Sequence, residues 1–260
     1  MSYNALSIGA SNPLGGLPGS DGLWPERASG AAPLYELRNV SKSYIDLSSK
    51  AEISVLQNLS LSIPDRRMTA IIGPSGAGKS TLLHLLGGLD VCDEGTILFR
   101  GKKLPKQQRE WRALNERRPA FIFQDLNLVS HLSALDNAAL LLICQGSSQA
   151  EARRIAWENL DFLDLRNEAG RLPAQMSGEQ KRRVAIARAL SSGASVILAD
   201  EPAESLDSKS ARAVLRYLSR LPVERQLAVI LTTRNVPLAF EYCPTVYDMD
   251  GAGFKTAAAG

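Results

Sequence analysis

The sequence has few of the residues that build metal centres and disulfide frameworks. Its 260 residues include 3 cysteines and 2 histidines. The cysteines fit neither a zinc site nor a disulfide framework, so we predict buried free thiols in a reducing compartment. The longest apolar run, residues 138–144, is far shorter than the roughly 20 residues of a membrane-spanning helix. With neither a basic start nor a continuous apolar segment at the N-terminus, we expect no secretory signal and a cytoplasmic protein.

An excess of one charge sign is also missing. The chain has 30 basic and 27 acidic residues, a net charge of +3, which is too even to indicate nucleic-acid binding. The basic segment 106–118 also contains Glu110 and Glu116, which favours a solvated surface over a nucleic-acid patch. A composition of 45% hydrophobic and 22% charged residues is typical of a globular protein with a sizeable core.

Residues 1–33 differ from the rest of the chain. They contain six glycines, four prolines and five serines, with apolar residues in no periodic order, which predicts a disordered tail. Residues 34–44 and 53–63 alternate in polarity and predict two strands of an antiparallel piece. After them, short apolar strands alternate with helices, which indicates a parallel α/β sheet. We therefore predict one domain over residues 34–250, interrupted by a helical insertion over about 125–180, and a C-terminal tail over 251–260.

A glycine-rich loop follows the predicted strand 68–72 and opens a predicted helix over 78–86. It fits G-x-x-x-x-G-K-[ST] at every fixed position. Its backbone N–H groups would surround phosphate oxygens, Lys79 would add a positive charge, and Ser80 would offer a hydroxyl to Mg²⁺. Its residues are Gly73, Pro74, Ser75, Gly76, Ala77, Gly78, Lys79, Ser80 and Thr81. A chance glycine-rich turn is improbable in this context, but kinases, GTPases and motor ATPases share the loop.

Two carboxylates end a second apolar strand, in the segment Val196-Ile-Leu-Ala-Asp200-Glu201. Asp200 would hold Mg²⁺ through water, as in other phosphate-loop proteins. Glu201 lies at the carboxyl end of the strand, where open α/β sheets bind ligands, and is a candidate general base for an attacking water. The alternative interpretation is an acidic start to a helix. We rank it second because the same chain contains a phosphate loop.

The order of these motifs resembles that of ABC transporter ATPases. The resemblance rests on GPSGAGKST, Gln124, Ser177-Gly178, LADEP and Ser205-Leu206-Asp207, and covers about residues 34–250. The runs STLLHLLGGLD and RVAIARAL are similar to the subgroup that powers lipoprotein release and macrolide export. The resemblance implies an α/β fold: a phosphate-loop ABC ATPase core with a parallel sheet, an N-terminal antiparallel β piece and an inserted helical subdomain.

The resemblance also implies roles for residues outside the phosphate loop. Tyr44 would stack on adenine, and Gln124 would sense Mg²⁺ and the γ-phosphate. A strand-edge aromatic residue and a polar strand-end residue are the respective alternatives. The family signature would cap the ATP held by the second subunit of a dimer, and here its matching residues are Ser177, Gly178 and Gln180. Asp207 would lie in a loop that crosses the dimer interface.

The chain departs from the family pattern at three places, one of them a pair of residues. Glu179 replaces the second signature glycine, and a carboxylate about 6 Å from a phosphate charge would cost roughly 3 kcal/mol at an effective dielectric of 20. Ser177 to Gln180 is also a capping box, so Glu179 fits a helix start as well. Arg234 stands where the family has histidine, and it is charged but cannot shuttle a proton. Ala203-Glu204 replaces a small polar pair.

These features predict an ATP-binding subunit that binds Mg-ATP and hydrolyses it slowly or conditionally. Because no spanning segment is present, it would drive a separate membrane permease from the cytoplasmic face, paired with an identical or different ATPase subunit. The alternative is a soluble nucleotide clamp that regulates or assembles a complex without transport. A phosphate-loop kinase would not explain Gln124 or the Ser177 region.

Overall fold

The computed structural model describes residues 33–105, 110–111, 117–249 and 254–257. The predicted tail over residues 1–33 lies outside this part of the chain apart from Pro33. Most of the basic segment 106–118 lies outside it as well.

The described elements follow the predicted alternation of strands and helices. The strands are β1 (Tyr35–Ile45), β2 (Glu52–Ile63), β3 (Met68–Ile72), β4 (Glu94–Phe99), β5 (Lys102–Lys103), β6 (Ala120–Ile122), β7 (Val196–Ala199), β8 (Ala228–Thr233), β9 (Thr245–Met249) and β10 (Phe254–Ala257). The helices are α1 (Lys79–Leu86), α2 (Ala134–Cys144), α3 (Gln149–Phe162), α4 (Gly178–Ser191), α5 (Ser208–Glu224) and α6 (Val236–Tyr242), with 3-10 turns at Arg166–Glu168 and Pro173–Gln175. The sequence interpretation missed α6, and β10 occupies part of the predicted C-terminal tail.

The strands form two sheets. One has the order β2-β1-β4-β5, and each of its neighbouring pairs is antiparallel. The other has the order β10-β9-β3-β8-β7-β6, with β9, β3, β8, β7 and β6 parallel and β10 antiparallel to β9. The predicted parallel α/β sheet and the antiparallel piece are both confirmed.

The parallel sheet is buried on both faces, as strands joined by crossover helices require. In β3, Met68, Ala70 and Ile72 face one core, and Ile71 faces the other. The first core contains side chains from α2 to α6, and the second contains α1 and the antiparallel strands. The loop between β3 and α1 therefore starts from the centre of the molecule's most buried layer.

The helical insertion is fixed by its caps and by one buried amide. The Ser133 hydroxyl accepts a hydrogen bond from Asp136 N at the start of α2, and the Ser148 hydroxyl accepts one from Glu151 N at the start of α3. Asn137 is fully buried, and its amide binds both the N–H and the carbonyl of Val129. These bonds hold the segment after Gln124 against α2 without a strand partner.

The cysteines only partly match the prediction of buried thiols. Cys243 is buried, and burial raises the pKa of its thiol to about 12, so this thiol stays protonated and unreactive. Cys92 is half-buried and Cys144 is exposed, so the prediction is wrong for Cys144. Within the described ranges, no helix has both the length and the apolar character that crossing a membrane requires.

Candidate active site

The loop between β3 and α1 needs glycine at two positions for steric reasons. Gly78 has a φ of +91°, and a Cβ there would lie 2.9 Å from Val55 Cγ1. A Cβ on Gly73 would lie 2.4 Å from the carbonyl oxygen of Met249. Because the backbone approaches its neighbours this closely, only glycine fits at these two positions.

Lys79 opens α1 and is almost completely buried. Its side chain is 7% exposed, and its ammonium donates to the carbonyls of Gly73 and Pro74, each at 2.9 Å. The same Nζ lies 3.7 Å from Glu201 Oε1. A buried charge requires such partners, and here the carbonyls of its own loop bind the ammonium at the start of α1.

A cavity of about 360 Å³ lies above this loop, within the size range of small-ligand sites. It brings together most of the predicted phosphate-loop residues with Gln124 and Glu201. Its lining is Val55, Ser75, Gly76, Gly78, Lys79, Ser80, Thr81, Gln124, Glu201 and Arg234. Sequence reasoning took Val55 only as one of the alternating apolar residues of its strand and missed that it lines the cavity.

The acidic pair at the end of β7 is held by a threonine of the neighbouring strand. The Thr232 hydroxyl donates to Asp200 Oδ1 at 2.5 Å and accepts from Glu201 N at 3.0 Å. Glu201 has a φ of +46°, a strained value for a residue with a side chain, of the kind that clusters at functional sites. Thr232 gave no sequence signal, because it is a buried member of an apolar strand whose pairing with β7 was unknown.

The residues predicted to bind Mg²⁺ are of the right chemical type. Ser80 and Gln124 are exposed in the cavity and offer a hydroxyl and an amide oxygen. Asp200 is buried and is not among the lining residues, and its carboxylate is bound by Thr232. Magnesium prefers oxygen ligands and keeps several of its waters or binds substrate phosphates. Among the described residues, no group of three or more histidine, cysteine or acidic side chains could hold a metal alone. The site therefore fits Mg²⁺ only together with a phosphate chain.

Tyr44 lies beside the phosphate loop, and its hydroxyl already has hydrogen-bond partners. Its hydroxyl donates to Asp90 Oδ2 at 2.7 Å and is also hydrogen-bonded by the Thr81 side chain, while Lys42 Nζ lies 5.1 Å from its ring centroid. Burial, and then the Asp90 carboxylate, raises the pKa of Tyr44, which keeps the hydroxyl protonated as a donor. Tyr44 as a whole remains 39% exposed. Adenine stacking by Tyr44 stays a prediction.

The predicted signature residues lie at the start of α4 and do not line the cavity. Ser177 and Gln180 form the predicted capping box: Gln180 N donates to Ser177 Oγ at 3.1 Å, and Ser177 N donates to Gln180 Oε1 at 2.9 Å. Ser177 and Gly178 are exposed. They are free to meet another molecule, and their role in capping a second subunit's ATP stays a prediction.

Glu179 is directed away from the exposed end of α4. Its Oε1 accepts from Arg183 Nη2 at 2.6 Å, one helical turn towards the carboxyl end. Arg183 also donates to the Leu163 carbonyl at 3.2 Å. Pairing with Arg183 offsets much of the negative charge of Glu179. The repulsion of roughly 3 kcal/mol between Glu179 and a partner's phosphate is therefore an upper bound for this chain.

Arg234 directly follows β8, at the family's histidine position, and lines the same cavity. Its Nε lies 3.5 Å from Glu201 Oε1, and its backbone N donates to Glu201 Oε2 at 3.2 Å. Its guanidinium also forms an ion pair with Glu204. A permanent cation is thus held next to the candidate general base.

These features together define a phosphate-loop ATPase of the cassette type. The nucleotide loop follows the central strand β3, the acidic pair ends β7, and Gln124 leads from β6 into a helical insertion. The start of α4, which is predicted to cap the ATP of a second subunit, is exposed and lies outside the cavity.

Comparison with known proteins identifies the family. The family model described as ABC transporter matches residues 56–204. The lipoprotein-releasing system ATP-binding protein LolD of Wigglesworthia glossinidia brevipalpis is 34% identical over 223 residues, which cover 85% of this chain and 96% of that protein. The macrolide export ATP-binding/permease protein MacB of Burkholderia pseudomallei (strain 1710b) is 39% identical over 201 residues, 77% of this chain and 30% of MacB. The chain belongs to the ABC transporter family and is one of its ATPase cassettes.

Solved structures agree with this assignment. The dimeric structure of MJ0796, a bacterial ABC transporter cassette, has a TM-score of 0.76 and 32% identity, and the match covers 87% of this chain and 99% of that one. A post-hydrolysis state of MJ0796 bound to ADP and Pi matches with the same values. CbiO1 from Clostridium perfringens, at 23% identity and a TM-score of 0.75, supports the fold alone.

Proposed function

We propose that this chain is the ATP-binding subunit of a transporter, and that it binds Mg-ATP and hydrolyses it slowly or conditionally to drive a separate membrane permease. The observation that carries this proposal is the position of Lys79, buried at the base of the cavity between two loop carbonyls and 3.7 Å from Glu201. An entering phosphate chain would exchange those carbonyls for phosphate oxygens. It would thereby satisfy both the ammonium and the loop N–H groups.

In this proposal, each side chain of the cavity has one task. The loop N–H groups and Lys79 neutralise the phosphates, and Glu201 orients the attacking water and accepts its proton. Mg²⁺, bound by Ser80 and Gln124 with Asp200 acting through water, would supply additional charge stabilisation to the phosphates. Arg234 cannot exchange a proton at neutral pH, so the proton must stay on Glu201 or leave through water.

A groove beside the helical insertion supports a permease as partner. Its volume is about 670 Å³, and it lies between β6 and α2, close to Gln124. Its apolar lining includes Leu89, Phe121, Phe123, Leu140 and Leu141. Leu89 is 50% exposed, which is unusual for a large apolar residue next to others. We propose that a short apolar segment of the permease docks in this groove and places the chain on the cytoplasmic face of a membrane.

The direct test is binding and turnover of Mg-ATP by the purified chain. We expect binding that is lost in Lys79→Ala, and hydrolysis that is slow in the isolated chain and faster with a permease or a second ATPase subunit. Phe121→Asp in the groove should abolish stimulation by a permease without changing nucleotide affinity. Fast turnover by the chain alone would contradict conditional hydrolysis, and absent binding would contradict the whole proposal.

The alternative function is a nucleotide clamp without transport, paired with an identical or a different ATPase subunit. The departures at Glu179 and Arg234 favour it, because both change groups that surround the γ-phosphate in a closed dimer. Affinity purification from detergent-solubilised membranes separates the two functions. Recovery of a permease supports transport, and recovery of a partner without spanning segments supports the clamp.

A further inference from the structure

Two of the residues that depart from the family pattern contact each other. Glu204, in the segment after β7, forms an ion pair with Arg234, the residue after β8. The second carboxylate oxygen of Glu204 accepts from Gln124 Nε2 at 2.5 Å, and its backbone carbonyl accepts from Arg182 on α4. Glu204 therefore connects Arg234, at the family's histidine position, with Gln124, the residue predicted to sense Mg²⁺ and the γ-phosphate.

Three charged residues of the cavity and Glu204 beside it form one row of alternating sign. Lys79 lies 3.7 Å from Glu201, Glu201 lies 3.5 Å from Arg234, and Arg234 pairs with Glu204. Two cations and two carboxylates thus balance each other. The side chains of Lys79 and Glu201 are 7% and 10% exposed, whereas those of Arg234 and Glu204 are 49% and 19% exposed, so the contact between Arg234 and Glu204 lies at the more accessible end of the row.

The two ends of this row would meet different parts of a nucleotide. Lys79 lies in the phosphate loop, which any nucleotide with a β-phosphate contacts. Gln124 and Arg234 line the same cavity but lie outside the loop, and a third phosphate that extends beyond the loop would approach them. A γ-phosphate there would attract Arg234 and repel Glu204, so the existing ion pair must open before Arg234 can bind phosphate.

We propose that Glu204 is an internal counter-ion that holds Arg234 and Gln124 in the nucleotide-free site, and that the third phosphate of ATP displaces it. Glu204 is then a positioning residue that sets the preference for triphosphate over diphosphate. This inference rests on the proposed ATP-binding function. It explains why an acid and a base that both depart from the family pattern lie in contact.

The test is the ratio of affinities for ADP and a non-hydrolysable ATP analogue, both with Mg²⁺. Glu204→Gln removes the charge and keeps the side-chain volume, so the fold should persist. We expect the affinity for the ATP analogue to rise about tenfold, because the Arg234 guanidinium, released from Glu204, can then pair with the third phosphate. The ADP affinity should change less than about twofold, because ADP has no third phosphate near Glu204.

A matched control is available on the surface. Glu241 pairs with Arg212, with side-chain exposures of 22% and 47%, against 19% and 49% for Glu204 and Arg234. Glu241→Gln should leave both affinities unchanged. Arg234→Gln addresses the same contact from the other side: it leaves Glu204 without its cation, so analogue affinity should fall about tenfold while ADP affinity stays near the parent value.

The outcomes separate the inference from the function on which it rests. Parallel gains for ADP and the analogue in Glu204→Gln, or no change in either, would overturn the inference while the parent chain still binds both. A parent chain that binds neither nucleotide would overturn the proposed function as well. A gain for the analogue that disappears in the double variant Glu204→Gln/Arg234→Gln would support displacement, because the gain then requires the released guanidinium.

Discussion

The phosphate loop and the end of β8 border the same cavity from adjacent parallel strands, but they hold their cations differently. At the loop, Lys79 is bound by carbonyls of its own backbone, and every fixed position of the motif is present. At the end of β8, Arg234 is bound by two side-chain carboxylates, and the family residue is absent. Backbone geometry thus maintains nucleotide binding, while exchangeable side chains determine the steps after binding. Four substitutions test this division, and we take them from the largest expected effect to the smallest.

Glu201→Gln should have the largest effect. We expect hydrolysis to fall by about 10²–10⁴-fold, the range for loss of a general base, while ATP binding is retained. Phosphate release and nucleotide affinity should both be measured, with the exposed Glu224→Gln on α5 as a control. Hydrolysis at the parent rate would show that the base lies elsewhere and that the strained backbone of Glu201 has another role.

Lys79→Ala should weaken the binding of ATP and ADP together. Losing a charged donor to two phosphate oxygens should lower affinity about 100-fold, or ~3 kcal/mol. Calorimetric titration would measure it, and Lys102→Ala on β5, outside the cavity, should change nothing. If Lys79→Ala bound ATP and ADP with the parent affinity, the phosphate loop would not be the part of the site that maintains nucleotide binding.

Tyr44→Ala should lower the affinity for ATP and ADP equally, by about tenfold, the usual cost of losing one base-stacking ring. Tyr44→Phe keeps the ring but removes the hydroxyl that donates to Asp90. If Tyr44→Phe binds nucleotide as weakly as Tyr44→Ala, the residue acts through Asp90 and the loop rather than by stacking. Fluorescence titration with a labelled nucleotide distinguishes the two results.

Glu179→Gly should have the smallest effect. Because Arg183 already neutralises the carboxylate, we expect nucleotide-dependent dimer formation to rise only about threefold at most, measured by analytical ultracentrifugation. Glycine in a first helical turn should also cost about 1 kcal/mol of stability, and Glu179→Gln separates this cost from the charge effect. A rise of about 100-fold would show that Glu179 leaves Arg183 when the dimer closes.

The loop and strands were predictable because their signals are local. The pattern from Gly73 to Ser80 lies between a strand and a helix, and each of these appears within a few residues of its predicted position. The missed helix α6 also had local signals, namely the Asn235 cap, whose side chain accepts from Leu238 N, and Pro237 in the first turn. Its seven residues are too few for a helical period to stand out against a loop.

The contacts that join strands were not predictable in the same way. Thr232 holds Asp200 and Glu201 only because β7 and β8 are neighbours, and the pairing order of parallel strands has no local signature. The contact between Glu204 and Arg234 spans 30 positions and depends on the same pairing. Sequence reasoning identified both residues as departures from the pattern, but only the fold shows that they are partners.

The strand β6 has a consequence for behaviour at high concentration. It has three residues and pairs with β7, and among the described residues it forms one edge of the parallel sheet. Pro119 precedes it and has no N–H to donate, and α4 packs against it. A short edge with a proline beside it is a poor template for strands of other molecules, so we expect this edge to resist intermolecular sheet growth during overexpression.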